Sequence, residues 1–455
     1  MTSTDTTDGS AAPSATAAVP GPPWAWWRWV LVITAGSVGA VLRTYPAAQR
    51  FAIGSEDGVV FTKEARSLGV VHALFKTYAG YFHLIPRVTA AVASALPLAR
   101  TPLIYGWVAA VSAGACAAIA ARCARGMKLS VLSATVIGVV VLCLPASGWE
   151  VALWMTNIEW YVIATFVVFA AAWIGGYDPP MPWAVPVLVV AGLTSPLLMV
   201  SLPFLFLAAW VRHRRRDLVV PGVVTATAIV HLIGRAVSSP RGSGHWTAAE
   251  VVRMYSVRVV GGVAAGANGL ARAYDHAGSG PFIALAVVVV VALTLLALRA
   301  DPTRRLVLLY LLYASVAYIV VAIVVRPAFF QKTLPVGLIS RDGRPTWWNL
   351  RYVAAPSIAL TMAAVVLADD WLRARAVALR VLGVVVYVLI ALVTVINVPV
   401  YLHRDTLEHW YQGVAAAKAS CRAHDGNGVA SVPHGPFTDL PAFHLRLTCH
   451  QAFGS

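Results

Sequence analysis

Two carboxylates stand side by side at Glu56 and Asp57, within the stretch Gly54-Ser55-Glu56-Asp57-Gly58 that follows the first long apolar run. Next to apolar, membrane-surface helices such a pair is partly desolvated, which raises its affinity for a proton. A carboxylate in that setting can take the proton from an attacking hydroxyl. Gly and Asp also favour a plain solvated turn, so the pair alone does not define a site. Downstream, Tyr78-Ala79-Gly80-Tyr81-Phe82-His83-Leu84-Ile85-Pro86-Arg87 sets aromatic faces, a histidine and an arginine in one short stretch. The guanidinium fork suits phosphate oxygens, whereas Tyr and Arg also anchor ordinary interfacial helices.

A second cluster runs from Ser147-Gly148-Trp149-Glu150 through Trp154, Asn157, Glu159, Trp160 and Tyr161. Trp and Tyr offer flat faces to sugar C–H edges, and acids accept hydrogen bonds from sugar hydroxyls. An aromatic belt at the membrane interface would have the same composition. Glu159 differs because it opens an apolar run, where an ionisable group is functional by default. A third cluster spans Arg326 to Tyr352 and carries Lys332, Arg341, Arg344, Trp347, Trp348, Asn349 and Arg351, with Asp342 the single acid. Positive charge on an outward loop is not demanded by orientation rules, so an anionic headgroup is the simplest reason for it. Arg351, at the mouth of an apolar run, is the best placed to hold a phosphate; scattered solvated arginines are the plainer alternative.

The elements that must position these groups are membrane helices. Of 455 residues, 59% are apolar and only 12% charged, with a mean hydropathy of +0.73. A water-soluble globule of that size needs far more polar surface. The composition also excludes bulk disorder, and five cysteines exclude a disulfide scaffold. The expected fold is all-α: a polytopic transmembrane bundle of about 11 spans, with membrane-surface helices in the first outward loop. Its apolar runs lie near 28–45, 103–121, 129–145, 158–174, 218–235, 281–299, 306–326, 352–368 and 381–398. Two further arms, 182–194 and 197–211, are broken at Thr194-Ser195-Pro196.

Residues 59–98 read as helices on the outer surface, because a crossing at Tyr81–Leu98 would carry Arg122, Arg125 and Lys128 to the wrong face. Lys and Arg outnumber Asp and Glu by 35 to 19, for a net charge of +16. Arg122, Arg125 and Lys128, the run Arg212 to Arg216, then Arg299, Arg304 and Arg305, and Arg373, Arg375 and Arg380 mark the inner loops. That positive-inside pattern accounts for much of the charge without nucleic acid.

Residues 1–23 read as a disordered cytoplasmic tail, 24–402 as the transmembrane domain and 403–455 as a small extracytoplasmic tail. That tail holds Cys421 and Cys449. On the oxidising side of a membrane they are either bonded, which would contribute roughly 3–4 kcal/mol, or two separate thiols. Cys116, Cys123 and Cys143 read as small packing residues.

Taken together, these features resemble the GT-C superfamily of membrane glycosyltransferases. The resemblance rests on Glu56-Asp57, the Tyr78–Arg87 stretch, and Lys332 with Arg351-Tyr352, and it covers most of residues 28–400. It implies a polyprenyl-phosphate-linked sugar as donor, transfer on the extracytoplasmic face and a cell-envelope glycan or lipid as acceptor. Carried onto this chain, Asp57 is the general base and Glu56 its partner, with the order of those roles open and His83 and His72 as further participants. Arg87, Lys332, Arg351 and His83 would hold the carrier phosphate. Glu159, Trp154, Tyr81, Trp348 and Tyr352 would contact the sugar or acceptor. Charge develops on the departing phosphate as the glycosidic bond breaks, so fixed cations there favour the transition state. A large soluble C-terminal acceptor domain, which some members carry, is missing from the sequence pattern.

No cofactor is demanded, although a divalent metal is compatible with the acids, and no Cys/His spacing reads as a zinc site. The location implied is the plasma (inner) membrane, with the N-terminus cytoplasmic and the C-terminus extracytoplasmic. Two other classes compete. A transporter or flippase would use the broken Thr194-Ser195-Pro196 pair but should show charges at mid-span and two related halves. A membrane acyltransferase would need a nucleophile or His–Asp arrangement, for which Asp275-His276 is the nearest pattern, although adjacent side chains on a helix point apart.

Overall fold

The computed structural model describes residues 25–45, 47–51, 53–54, 56–236, 246–325, 350–401, 406–433 and 444–454. The helices are α1 (Trp26–Leu42), α2 (Lys63–Leu68), α3 (Val70–Phe75), α4 (Leu84–Ser94), α5 (Thr101–Gly126), α6 (Val131–Cys143) and α7 (Ile158–Ile174). They continue with α8 (Met181–Thr194), α9 (Leu202–Arg212), α10 (Val219–Ala236), α11 (Ala248–Met254), α12 (Gly261–Ala277), α13 (Gly280–Arg299) and α14 (Pro302–Val325). The last four are α15 (Ala354–Leu372), α16 (Val377–Ile396), α17 (Leu407–Ala423) and α18 (Cys449–Phe453). Six helical segments are long and apolar enough to cross a membrane, and the bent pair α8/α9 is a further candidate. The fold is an all-α, multi-pass membrane bundle.

The expected eleven full passes are not all present as full-length helices. Helices α1, α6 and α7 have 17, 13 and 17 residues. At 1.5 Å per residue α6 is only about 20 Å long, against a hydrocarbon core of about 30 Å. It stops early because Leu144 takes a left-handed conformation (φ 38°) and Pro145 follows. The chain beyond it, 144–157, packs into the bundle instead of extending the helix, and this loop carries much of the candidate site. Helix α4 has 11 residues, so Tyr81–Leu98 is not a span.

Every residue of α7 is buried, and the α15 segment buries 89% of its apolar window against 17% for α13. Helices α7 and α15 are therefore the central pillars, and α13 and α16 the rim. Helix α1 packs closely on α5: a Cβ on Gly36 would stand 2.9 Å from Gly114 Cα, and one on Gly114 only 2.5 Å from Ile33 O. Small residues at such crossings are how apolar helices gain contact where no hydrophobic drive separates them from lipid.

After α1 the strand β1 (Thr44–Tyr45) pairs in parallel with β2 (Val400–Tyr401), just past α16. Parallel pairing means that both helices deliver the chain to the same end of the bundle. At the opposite end the arginine-rich turns meet. Arg212 donates to the carbonyls of Trp173 and Ile174 at the end of α7, so the α8/α9 pair starts and finishes at that end as a hairpin. Its 115° break is set by Ser195, whose Oγ accepts from Leu197 N at 3.4 Å, and by Pro196. His231 closes the break. Its Nε2 donates to Gly192 O at 2.6 Å and its Nδ1 accepts from Phe82 N at 3.2 Å, which fixes the neutral Nε2–H tautomer. This histidine is a packing residue, with both ring nitrogens hydrogen-bonded inside the bundle.

The arginine-rich end is organised by Asp369, which is 1% exposed. Its carboxylate accepts from Ser130 N at 3.1 Å, from the Ser133 hydroxyl and from Arg373. Ser133 also hydrogen-bonds Tyr387 Oη at 2.7 Å, so one acid joins the α5–α6 turn, α15 and α16. Breaking a buried charge from its donors is expensive, whereas an ion pair with a half-exposed arginine contributes little. Asp369→Ala should therefore lower stability by about 3 kcal/mol and Arg373→Ala by less than about 1 kcal/mol. Unfolding of detergent-solubilised protein reads both; equal losses would mean that the arginine, not the serine donors, holds the acid.

Candidate functional site

The acidic pair opens a short π-helical turn, Asp57–Thr62. The wide turn is matched by Thr62, whose hydroxyl donates to Asp57 O at 2.7 Å, five residues back, and also hydrogen-bonds Tyr105 Oη at 3.1 Å. Widened turns of this kind often occur at functional sites. Asp57 is 3% exposed. Its Oδ1 accepts two hydrogen bonds from one residue, the backbone N–H of Thr156 at 2.8 Å and the Thr156 hydroxyl. Its Oδ2 lies against Gly54 and Trp154: a Cβ on Gly54 would stand 3.2 Å from that oxygen and 3.3 Å from the indole. Any other residue at position 54 would push the acid or the tryptophan aside. Thr156 thus holds one carboxylate oxygen, and the other lies on the Trp154 side.

The loop that supplies Thr156 also supplies the site's polar frame. Asn157 Nδ2 donates to Glu150 O at 2.5 Å, and Asn157 Oδ1 accepts from Arg351 Nη1 at 3.3 Å. Arg351 N in turn donates to Glu150 Oε2 at 3.0 Å. The Arg351 guanidinium lies 5.5 Å from the Tyr352 ring centroid and within electrostatic reach of Glu150, Glu56 and Glu159. Tyr352 meets Trp160 edge-on at 4.8 Å. On the far side, Tyr81 Oη donates to Glu159 at 2.9 Å, and the Tyr81 ring lies 4.1 Å from His83.

The structure therefore gathers Glu56, Asp57, Trp154, Glu159, Tyr81, His83, Arg351 and Tyr352 around one end of α7. Arg87 stands one layer deeper. It is 1% exposed, bonded to Glu64 at 2.5 Å and set 4.9 Å above the Phe61 ring. Lys76 completes that pair at 2.8 Å from Glu64. Arg87 is thus engaged by an acid that the sequence reading did not weigh. His72 is exposed on α3, and Asp275 and His276 are exposed on α12, where His276 Nδ1 hydrogen-bonds its own helix at Arg272 O. Lys332 and Trp348, with the rest of 326–349, lie outside the described residues.

Besides Glu64, two residues were missed. Thr156 had no signal of its own in the sequence. Arg258 stood as a single arginine in the apolar run Val257–Val260, a pattern that deserved suspicion. It is 2% exposed on a second π-helical turn, Tyr255–Val260. Burial pulls its guanidinium down to about 10, with Glu150 opposing that shift. Glu150 thus acts electrostatically on two arginines, the buried Arg258 and the half-buried Arg351. Among the described residues no group of three His, Cys, Asp or Glu side chains is placed to hold a metal ion.

An apolar crevice opens beside this cluster, between α6, α12, α15 and α16, lined by Leu144, Ser147, Val263, Ser357, Thr361 and Thr394. The Ser147 and Ser357 hydroxyls are buried with no hydrogen-bond partner among the described residues. Ser147 and Ala354, both in its wall, lie within three residues of Glu150 and Arg351.

Fold and site together define a multi-pass helical membrane protein with a buried carboxylate–arginine cluster at one end. No family model, curated protein or solved structure matches the chain.

Glu150→Ala should cost about 3–5 kcal/mol, because it leaves the buried Arg258 without that countercharge and removes the acceptor of Arg351 N. Glu150→Gln should recover part of this loss by keeping an acceptor for Arg351 N. Thermal unfolding of the two variants in detergent checks it, and a wild-type midpoint for Glu150→Ala would remove Glu150 as the shared counterion.

Proposed function

We propose that the chain is a membrane glycosyltransferase of GT-C type that moves a sugar from a polyprenyl-phosphate donor to an acceptor hydroxyl. One observation carries this reading: a buried carboxylate, Asp57, held at one oxygen by Thr156, in the same cluster as a half-buried cation, Arg351, that lies in the field of Glu56. That is the minimum such a transfer needs. The acceptor hydroxyl attacks the anomeric carbon and gives its proton to the carboxylate as the bond from that carbon to the carrier phosphate breaks. The phosphate leaves with its negative charge beside Arg351 and requires no general acid.

The apolar crevice near Arg351 is narrow as it stands and would widen to take an isoprenoid chain, with the phosphate at its polar rim. The Tyr81–Glu159 pair, Trp154 and Tyr352 offer faces and acceptors for sugar and acceptor hydroxyls. The shell next to Asp57 is well placed to exclude water and so to suppress donor hydrolysis.

In this reading the bundle makes about eleven passes, with both α8 and α9 counted and α6 completed by non-helical chain buried in protein. The arginine-rich end faces the cytoplasm and the site faces outward from the plasma membrane. The helices of the first loop rest on the outer membrane surface. A flippase or transporter is the second reading, favoured by the broken α8/α9 hairpin. His231 weighs against it, since both ring nitrogens serve to hold the break closed.

The test uses purified protein in nanodiscs with a panel of polyprenyl-phosphate donors bearing labelled hexoses or pentoses, and cell-envelope glycan or lipid as acceptor. Wild type should release polyprenyl phosphate and label the acceptor with one of these donors. Asp57→Asn should transfer about 10²–10⁴-fold more slowly while still binding donor. Near-normal transfer by Asp57→Asn would remove Asp57 as the base. Movement of an intact donor between leaflets without transfer would favour the transporter.

A further inference from the structure

The C-terminal segment folds into a small cap: α17, the antiparallel pair β3 (Val429–Pro433) and β4 (His444–Thr448), and α18. A disulfide between Cys421 and Cys449 closes it, with Cα atoms 5.6 Å apart. The cap's apolar core is not made by the cap alone. Ile53, 2% exposed, and Leu98 belong to the same buried cluster as Trp410, Leu445, Leu447 and the two cysteines. Strand β4 packs against the Asp57–Thr62 turn and α2, α18 packs against α2, and α17 packs against the turn Leu98–Arg100.

Ile53 immediately precedes Gly54, and Gly54 O accepts from Gly58 N at 3.3 Å to start the turn that carries Asp57. Between β1 and that turn the described chain has a single short helical turn, Ala47–Gln49. Such a segment draws its local stability from what covers it: Phe51 packs on α5 against Trp107, and the cap covers Ile53.

We propose that the cap is the positioning element of the acidic pair, with Ile53 as the peg that transmits its hold, and that the hold depends on the Cys421–Cys449 disulfide. Reduction then loosens the cap, frees Ile53 and unfastens the start of the Asp57 turn, while the bundle below stays folded. Redox state at the cap thereby sets how well Asp57 is placed, whatever reaction Asp57 serves.

Hydrogen–deuterium exchange of the full chain in nanodiscs, read by peptide mass spectrometry, tests this. Four samples are compared: oxidised wild type, wild type reduced with a phosphine, oxidised Ile53→Ala and oxidised Ile53→Val. Reduction and Ile53→Ala should each speed exchange of residues 53–62 by about tenfold or more. Ile53→Val should stay near wild type, and α7 and α15 should keep their protection throughout. In Ile53→Ala the cap peptides 406–433 should remain protected, which separates loss of the peg from loss of the cap. Should reduced protein aggregate, the two oxidised Ile53 variants decide the matter. Unchanged exchange at 53–62 in Ile53→Ala, or faster exchange confined to the cap after reduction, would overturn the proposal. The readout is backbone opening, so it stands or falls apart from the glycosyltransferase reading.

Discussion

A carboxylate taken out of water among apolar helices persists as a charge only where fixed donors replace the water it lost. At Asp57 the donors include Thr156, through its backbone N–H and its hydroxyl. The rest of the site end is arranged around that demand. Thr156 can reach Asp57 because α6 stops at Leu144 and the chain 144–157 folds into the bundle. The same loop then has Glu150 and Asn157 in place to receive Arg351. One irregular loop therefore ties the first-loop helices to α7 and α15, the two buried pillars.

The opposite end solves the same problem with different parts. Asp369 is as deeply buried as Asp57, yet its serine and arginine donors come from α6 and from its own helix. The result is a staple between helices, with Tyr387 of α16 joined to it through Ser133. Both ends hold a satisfied buried acid. The Asp57 end adds the Trp154 indole and the Tyr81–Glu159 pair, with Glu150 beside Arg351. That difference in surroundings, not burial alone, distinguishes the candidate site.

Much of the architecture was legible because membrane helices are written in composition: long Val-, Leu- and Ala-rich runs, arginine-rich turns, and a break at Thr194-Ser195-Pro196. The path of the chain between helices was less legible. The run 129–145 ends within two residues of the end of α6 at Cys143, but composition could not show that the chain 144–157 then folds into the bundle. At the site, Glu56-Asp57, Glu159 and Arg351 drew notice as charges beside apolar runs. Their partners did not, because Tyr81 and Glu159 are 78 residues apart and Asp57 and Thr156 are 99 apart. Arg87 shows the same limit from the other direction. A neighbouring acid, Glu64, bonds its guanidinium, and only folding reveals that pairing. The cysteine pair was open between bond and free thiols in sequence, and in the structure it is bonded.

The central claim, that Arg351 and the crevice beside it receive a polyprenyl phosphate, is most directly tested by native mass spectrometry. Detergent-purified wild type is compared with Arg351→Ala for bound lipid. The account expects a polyprenyl-phosphate adduct on wild type, its mass naming any attached sugar. It also expects that adduct to weaken in Arg351→Ala by about 1.5–3 kcal/mol, the range for a hydrogen bond to a charged group. Bulk phospholipid alone on both proteins would contradict the claim and bring the transporter reading to the front.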